Sequence, residues 1–252
     1  MLRRDPENQG HELFKQNCAS CHSHGDAIRN DRATAADLAG FGTREWIVGL
    51  LTNPHDPRYL ARTKLKAMTG WLEREHAAAK KKGKEKDLQD QFALIATWLA
   101  GHPRKDVPDS KDQSDFARGY RAFEDKCSSC HAYKDTGGGE ANAPDFTGYG
   151  DADWIRMMVM LPSDKLRYGD HNTMPAFRDL EGPDGEVKRA QLKRMKEMLL
   201  EAAAGDKKKE QAAEDASRVM NLNDVDRELI IRWLVGDNRV VFGGDPIAVP
   251  PR

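Results

Sequence analysis

The stretch "QNCASCHSHG" (residues 16–25) carries two cysteines separated by two residues, with a histidine directly after the second. The stretch "DKCSSCHAYK" (125–134) repeats this Cys-x-x-Cys-His pattern 109 residues further along the chain. All four cysteines of the sequence lie in these two clusters, so none remains for a structural disulfide elsewhere. A site that needs Cys-x-x-Cys-His twice is therefore the central chemical feature of the sequence.

The two clusters belong to a longer internal repeat. The segment "ADLAGFGTREWI" (36–47) resembles "PDFTGYGDADWI" (144–155), and "AMTGW" with Met68 resembles "TMPAF" with Met174. Each half closes on an aromatic pattern of helical spacing, at 92–101 and 227–237. Five residues recur at an offset of 109: Gly10, Phe14, Cys18, Cys21 and His22 correspond to Gly119, Phe123, Cys127, Cys130 and His131. We expect a tandem duplication.

The pattern of apolar residues predicts an all-α fold. Apolar side chains at helical spacing precede both cysteine clusters, and Thr43 is a plausible N-cap for a helix that follows it. We expect an N-terminal domain over 1–104, a polar linker over 105–115, a C-terminal domain over 116–240 and an extended tail over 241–252. A charged insertion at about 181–221 should form one or two solvated helices interrupted near "AAGDKKKE".

The composition excludes several classes of protein. Charged residues make up 32% of the chain and apolar residues 38%, and the mean hydropathy is −0.77. No apolar run approaches the roughly 20 residues of a membrane-spanning helix. No basic stripe interleaved with aromatic residues indicates nucleic-acid binding. Residues 1–108 carry 18 Lys and Arg against 14 Asp and Glu, and the remainder carries 22 against 27, a polarity that can orient docking with a partner.

Three chemistries use Cys-x-x-Cys. A zinc site built from two such pairs usually spaces them by roughly 15–20 residues. A thioredoxin-like motif needs a βαβ setting, and no strand pattern surrounds either cluster. Cys-x-x-Cys-His is the signature of c-type haem attachment, in which both thiols bind one porphyrin and the adjacent histidine is the proximal ligand of the iron. Two copies, each followed by a methionine about 50 residues on, predict two covalently bound haem c groups.

These residues resemble those of a diheme cytochrome c built from two class I cytochrome c domains, over nearly all of the chain except the insertion. In that family a glycine and an aromatic residue before the cysteines pack on an aromatic residue of the last helix. The resemblance therefore implies that Gly10 and Phe14 pack on Trp98, and that Gly119 and Phe123 pack on Trp233. It also implies that the carbonyl of Pro144 accepts a hydrogen bond from the proximal histidine, with Ala36 offering its carbonyl at the equivalent place.

The resemblance implies a methionine as the sixth iron ligand of each haem. Met174 and His131 would hold the second iron, with His171 as the rival of Met174. Met68 and His22 would hold the first, with His55 and His76 as fallback ligands because Thr69 replaces the proline that follows Met174. The cofactor-binding residues expected are Cys18, Cys21, His22, Met68, Cys127, Cys130, His131, Met174 and Pro144, together with Arg58 and Arg167 on haem propionates.

Electron transfer is the function that this resemblance implies, with redox proteins as partners. Short runs at 41–68 and 146–160 are similar to c-type haem domains attached to bacterial cytochrome b subunits of quinol–cytochrome c oxidoreductases. A cytochrome b/Rieske membrane complex and a downstream cytochrome c or oxidase are therefore the expected partners. The alternatives are a diheme peroxidase or a dehydrogenase, or a haem-based gas sensor, each of which needs one open iron.

The expected location is the periplasm or the outer face of the cytoplasmic membrane, because haem c is attached outside the cytoplasm. Residues 1–14 contain no apolar stretch typical of a signal peptide. An upstream membrane segment or a processed N-terminus would each account for that.

Overall fold

The computed structural model describes residues 5–63, 65–101, 108–134, 136–137, 143–164, 166–169, 172–181 and 184–236. These residues are helix-rich, which fits a cytochrome c fold. The predicted tail at 241–252 and positions 105–107 of the predicted linker lie outside them. The helices are α1 (His11–Asn17), α2 (Arg44–Thr52), α3 (Lys66–Lys82), α4 (Glu85–Ala100), α5 (Asp115–Lys126), α6 (Ala152–Met160), α7 (Gly185–Ala203), α8 (Lys207–Ala216) and α9 (Asp224–Leu234).

The chain divides into two compact units. The first unit comprises Phe14–Glu140 and Asp145–Asp151, and the second comprises Met1–Leu13, Ala141–Pro144 and Ala152–Arg252. Both Cys-x-x-Cys-His clusters belong to the first unit. The domain boundaries expected at 104 and 116 stay a prediction.

Aromatic packing between α4 and α5 forms the core of the first unit. Trp98 and Phe123 are both fully buried, with ring centroids 4.6 Å apart, and Tyr133 meets the Trp98 ring edge-on at 5.0 Å. Burying an aromatic or large aliphatic side chain of this kind contributes roughly 1.5–3 kcal/mol. Helices α2 and α3 also pack against α4. Ser114 caps the N-terminus of α5, and its Oγ accepts a hydrogen bond from the N–H of Ala117.

A glycine lets α5 approach α4 closely. A Cβ added at Gly119 would lie 2.8 Å from the Cβ of Trp98, so only glycine fits there. The expected partner of Gly119 and Phe123 was Trp233, and the structure shows that this was wrong: they pack on Trp98 of the preceding helix. Elements that follow each other in the chain usually lie next to each other, and α5 is the helix that follows α4.

The second unit repeats this contact with other residues. A π-helical turn, Pro6–Gly10, packs against α9, where a Cβ at Gly10 would lie 2.8 Å from the carbonyl oxygen of Leu229 and 2.9 Å from Cγ of Trp233. The expectation that Gly10 packs on Trp98 was therefore also wrong. The N-terminal segment of each repeat meets the last helix of the other repeat.

A buried ion-pair network joins α6 to α9 in the second unit. The Arg156 guanidinium donates to both carboxylate oxygens of Glu228 at 3.0–3.1 Å, and Arg232 donates to the same carboxylate at 2.8 Å. Arg156 and Glu228 are buried, so the two arginines satisfy the charge that Glu228 takes out of water. This network fixes α6, which leads into the loop that carries Met174.

The charged insertion forms two helices, as predicted. Helices α7 and α8 pack on each other and are separated at Ala204–Asp206. The all-α expectation differs from the structure at the base of this insertion, where strand β1 (Ala176–Arg178) pairs in parallel with strand β2 (Val219–Asn221). Each strand has three residues, too few for the alternation of apolar residues that reveals a strand in a sequence.

Replacing Gly119 with alanine should destabilise the protein by about 1–3 kcal/mol, because the added methyl group overpacks the contact with Trp98. Gly70→Ala is the matched control, since Gly70 also lies inside a helix of the first unit. A Cβ there would meet only the end of the Arg74 side chain, at 3.6 Å. Gly70→Ala should therefore stabilise the protein by roughly 0.5–1 kcal/mol.

The free energy of unfolding, measured by denaturant titration of the haem-loaded protein, checks this prediction. Equal effects of the two substitutions would contradict the close approach of α5 to α4.

Candidate haem attachment sites

The first cysteine cluster is a tight turn at the end of α1. The N–H of Cys18 bonds to the carbonyl oxygen of Phe14, and the N–H groups of Cys21 and His22 both bond to the carbonyl oxygen of Cys18, at 3.1 and 3.0 Å. This turn presents Cys18, Cys21 and His22 from one short segment. None of the four cysteines, all of which are described, forms a disulfide.

The second cluster repeats this turn bond for bond. The N–H of Cys127 bonds to the carbonyl oxygen of Phe123 at the end of α5, and the N–H groups of Cys130 and His131 bond to that of Cys127, at 3.1 and 2.8 Å. In each cluster a serine hydroxyl lies beside the second sulfur, at 3.7 Å in the first and 3.8 Å in the second. The two clusters thus share one local backbone structure.

The ring of His22 is oriented by a backbone carbonyl. Its Nδ1 donates a hydrogen bond to the carbonyl oxygen of Ala36 at 2.8 Å, which leaves Nε2 as the unprotonated ring nitrogen. The sequence expectation that Ala36 offers its carbonyl is confirmed. Partial burial lowers the pKa of His22, and the Ala36 bond and the Asp37 carboxylate offset this in part. A neutral imidazole with a fixed tautomer is what a metal ion binds, and such hydrogen bonds to the ligand tune the metal.

Asp37 holds the loop that delivers the Ala36 carbonyl. One oxygen of its carboxylate accepts hydrogen bonds from the N–H groups of Gly25 and Ala39, at 2.9 and 2.8 Å. Its backbone carbonyl accepts a bond from Nε1 of the buried Trp46 at 3.0 Å. The loop is therefore attached both to the segment that follows the cysteine cluster and to α2.

His131 lies against an aromatic ring. It is buried, and its imidazole stacks on Phe146 with ring centroids 4.2 Å apart and an angle of 12°. The N–H of Phe146 bonds to the carbonyl oxygen of Ala132, just as the N–H of Leu38 bonds to that of Ser23 in the first repeat. The loop after each cluster therefore returns to the chain beside the histidine in the same way.

The first thiol of each cluster is protonated at neutral pH. Burial raises the pKa of Cys18 to about 12, with the neighbouring Cys21 adding to the effect. Burial likewise raises the pKa of Cys127 to about 12, although Lys126 acts in the opposite direction. A redox-active or nucleophilic Cys-x-x-Cys motif has a first thiol whose pKa is lowered instead. The raised pKa of these two thiols therefore argues against dithiol chemistry at the clusters.

Met68 lies in the first turn of α3, in the same unit as His22, and is half-buried. Its two rivals have other partners. His55 is exposed and lies 3.1 Å from the carboxylate of Glu73, and Nε2 of His76 donates to the carbonyl oxygen of Leu51 at 2.9 Å. These contacts favour Met68 over either histidine as a ligand for the first iron.

Met174 and Arg167 belong to the second unit, whereas both cysteine clusters and Arg58 belong to the first. The guanidinium of the buried Arg167 stacks over the ring of Trp154, 4.9 Å from its centroid. Arg58 is exposed and lies over the ring of Tyr59 at 5.7 Å. Propionate binding by these arginines stays a prediction, as does the role of Pro144. The rival ligand His171 lies outside the described residues.

Sequence reasoning missed two polar side chains that hold the ligand loops, Asp37 and Asn172. Asp37 has a recognisable signal, because an aspartate followed two residues later by a turn often accepts a backbone N–H. Asn172 has none beyond its position two residues before Met174.

The comparisons with known proteins agree with this chemistry. The family described as "Cytochrome C oxidase, cbb3-type, subunit III" matches residues 114–191, less than half of the chain. The match includes the second cysteine cluster, Pro144 and Met174, and it supports a c-type cytochrome that carries electrons and holds covalently bound haem c. No curated protein and no solved structure matches the chain.

Two features are absent from the described residues. They contain no group of three His, Cys, Asp or Glu side chains placed to hold a bare metal ion. Every helix among them is too short or too polar to span a bilayer.

Replacing Asp37 with alanine should cost about 1.5–3 kcal/mol of stability, because two backbone N–H groups lose a charged acceptor. Asp37→Asn is the matched control, since its amide oxygen can still accept both bonds. Denaturant titration of the haem-loaded protein should show a clearly smaller loss for asparagine. If asparagine and alanine destabilise equally, the carboxylate does not act through these two bonds.

Proposed function

We propose that this protein is a diheme c-type cytochrome that carries electrons outside the cytoplasm, within or next to a membrane quinol–cytochrome c oxidoreductase. The observation that carries the diheme proposal is the shared backbone structure of the two cysteine clusters. The same three hydrogen bonds form each turn, and the same return of the following loop flanks each histidine. A cluster that had lost its cofactor would be free to diverge from this geometry.

Each cluster would hold one porphyrin by its two cysteines. Cys18, Cys21 and His22 would bind the first haem, with Met68 as the sixth ligand. Cys127, Cys130, His131 and Met174 would bind the second. Haem c, when bound, supplies an iron that cycles between the ferric and ferrous states, and a thioether ligand raises its reduction potential.

The protein's own residues adjust that chemistry. The Ala36 carbonyl keeps the tautomer of His22 and makes the ring a better donor to iron. The stacked Phe146 ring excludes water from one face of His131. Met68 lies in the first turn of a helix, whereas Met174 lies two residues before a strand, so we expect the two sites to differ in reduction potential and to give electron flow a direction.

Redox proteins are the proposed partners. The short runs similar to cytochrome b-associated haem domains support a quinol–cytochrome c oxidoreductase as the donor complex, with a downstream cytochrome c or oxidase as the acceptor. The family that matches residues 114–191 is named for an oxidase subunit, which supports a place in a respiratory chain. Attachment of haem c implies an extracytoplasmic location.

The haem content of each chain tests the diheme proposal. We expect two covalent haems in the wild type, and one each in the double variants Cys18→Ala/Cys21→Ala and Cys127→Ala/Cys130→Ala. Intact-mass spectrometry and a pyridine haemochrome assay measure this directly. Ser20→Ala and Ser129→Ala, inside the same two clusters, should keep both haems.

One haem in the wild type, or two in either cysteine variant, would exclude the diheme proposal while leaving a c-type cytochrome intact.

Carbon monoxide tests Met68 as a ligand. The reduced wild type should bind it only very slowly because both irons have six ligands, and Met68→Ala should bind it rapidly at half of its haem because one iron loses a ligand. His55→Ala and His76→Ala are the controls and should leave both irons closed, since these rings bond elsewhere. Opening of an iron by His76→Ala but not by Met68→Ala would assign the ligand to His76.

A further inference from the structure

The loop that carries Met174 is held by a buried amide side chain. Asn172 is only 9% exposed, and it lies two residues before Met174 and three before the buried Pro175. We propose that Asn172 is a positioning residue that keeps Met174 in place as the sixth ligand of the second haem iron. This inference rests on the proposed function, in which Met174 is that ligand.

The Asn172 amide joins the two ends of the loop. Its Oδ1 accepts a hydrogen bond from the backbone N–H of Met174 at 2.9 Å, and its Nδ2 donates to the carbonyl oxygen of Pro162 at 2.8 Å. A backbone N–H can only donate and a carbonyl can only accept, so these partners settle the orientation of the amide. One side chain thereby links Pro162, which lies two residues after the end of α6, to Met174, which would bind the iron.

The remaining amide hydrogen has a partner as well. Nδ2 lies 3.9 Å from the sulfur of Met158, a residue of α6. Helix α6 is itself anchored to α9 by the buried Arg156–Glu228 ion pair. Asn172 therefore transmits the position of a fixed helix to the Met174 backbone.

The chain on the far side of Met174 is also held. Pro175 restricts its own φ angle, and β1 begins at the next residue, where the N–H of Ala176 bonds to the carbonyl oxygen of Arg218 at 2.9 Å. The backbone is therefore held on one side of Met174 by the Asn172 amide, which we call the clamp, and on the other side by the pairing of β1. Removing the clamp frees one side of the methionine and leaves the other fixed.

The first repeat holds its methionine in a different way. Met68 is the third residue of α3, which begins at Lys66, so the helix itself orders the Met68 backbone. A clamp like that of Asn172 is needed where the methionine lies outside a helix. Loss of Asn172 should therefore affect the second iron and leave the first unchanged.

Asn172→Ala is the central variant of the test. It removes the acceptor for the Met174 N–H and the donor to Pro162, and we expect carbon monoxide to bind half of the reduced haem about 10- to 100-fold faster than in the wild type. The near-infrared charge-transfer band from methionine sulfur to ferric iron should weaken by up to half.

Asn223→Ala is the matched control for stability. Asn223 also accepts a backbone N–H through Oδ1, from Asp226 at 2.8 Å, and it lies in the same unit but caps α9. It should lower the thermal midpoint without changing carbon monoxide binding. Met174→Ala is the positive control and should open the second iron completely. Haem content is measured for every variant, so that unfolded or unloaded protein is recognised.

Three results would overturn the proposal. If Met174→Ala opens the second iron and Asn172→Ala binds carbon monoxide as slowly as the wild type, Asn172 does not position the ligand and the proposed function stands. If Asn223→Ala speeds binding as much as Asn172→Ala, the effect is general destabilisation. If Met174→Ala does not open an iron, the assignment of Met174 fails together with the proposal.

Discussion

The close crossing of α5 over α4 is the contact on which the first unit depends. It exists because Gly119 has no side chain, which lets Trp98 and Phe123 bury their rings against each other. The same helix α5 ends in the second cysteine cluster, so the crossing also sets where Cys127 and His131 are presented. In the second unit Gly10 allows the equivalent crossing with α9. Two glycines thus govern the packing of two helix pairs.

Short polar loops then convert this scaffold into a set of iron-ligand positions. The Asp37 carboxylate accepts hydrogen bonds from backbone N–H groups of the loops after the first cluster. The carbonyl of Ala36, in the same loop as Asp37, accepts a hydrogen bond from His22. Asn172 does comparable work for the loop that ends at Met174. In both places a short side chain satisfies backbone groups that no helix or strand satisfies. The ligands lie on loops, and the precision of those loops comes from hydrogen bonds to one polar residue.

The surroundings of the two cysteine clusters disfavour reactive thiols and hold the histidines in place. Burial raises the pKa of Cys18 and Cys127, which is the opposite of what an activated nucleophile needs. The histidine that follows each pair is held by its surroundings, His22 by a carbonyl and His131 by the ring of Phe146. An electron carrier needs this kind of rigidity, because its ligands must stay in place while the charge on the iron changes.

Much of the site could be predicted from the sequence. The spacing of two cysteines and a histidine encodes a covalent attachment site locally, so Cys18, Cys21 and His22 and their repeats needed no fold to be recognised. Residue composition predicted α7 and α8 within the insertion, and residue type predicted the N-cap at Thr43, because these too are local features. The carbonyl of Ala36 was predicted from the resemblance and is confirmed.

Tertiary structure decided which helix meets which. The family resemblance implied that each repeat packs on itself, but Gly119 meets Trp98 and Gly10 meets Trp233. The two repeats have nearly the same apolar pattern, so either pairing satisfies it, and the choice depends on chain connections and long-range contacts. The β1–β2 pair and the partners of Asn172 are likewise contacts between distant segments. The sequence by itself determined the chemistry of the cysteine clusters, whereas only the three-dimensional fold decided the partners that hold them.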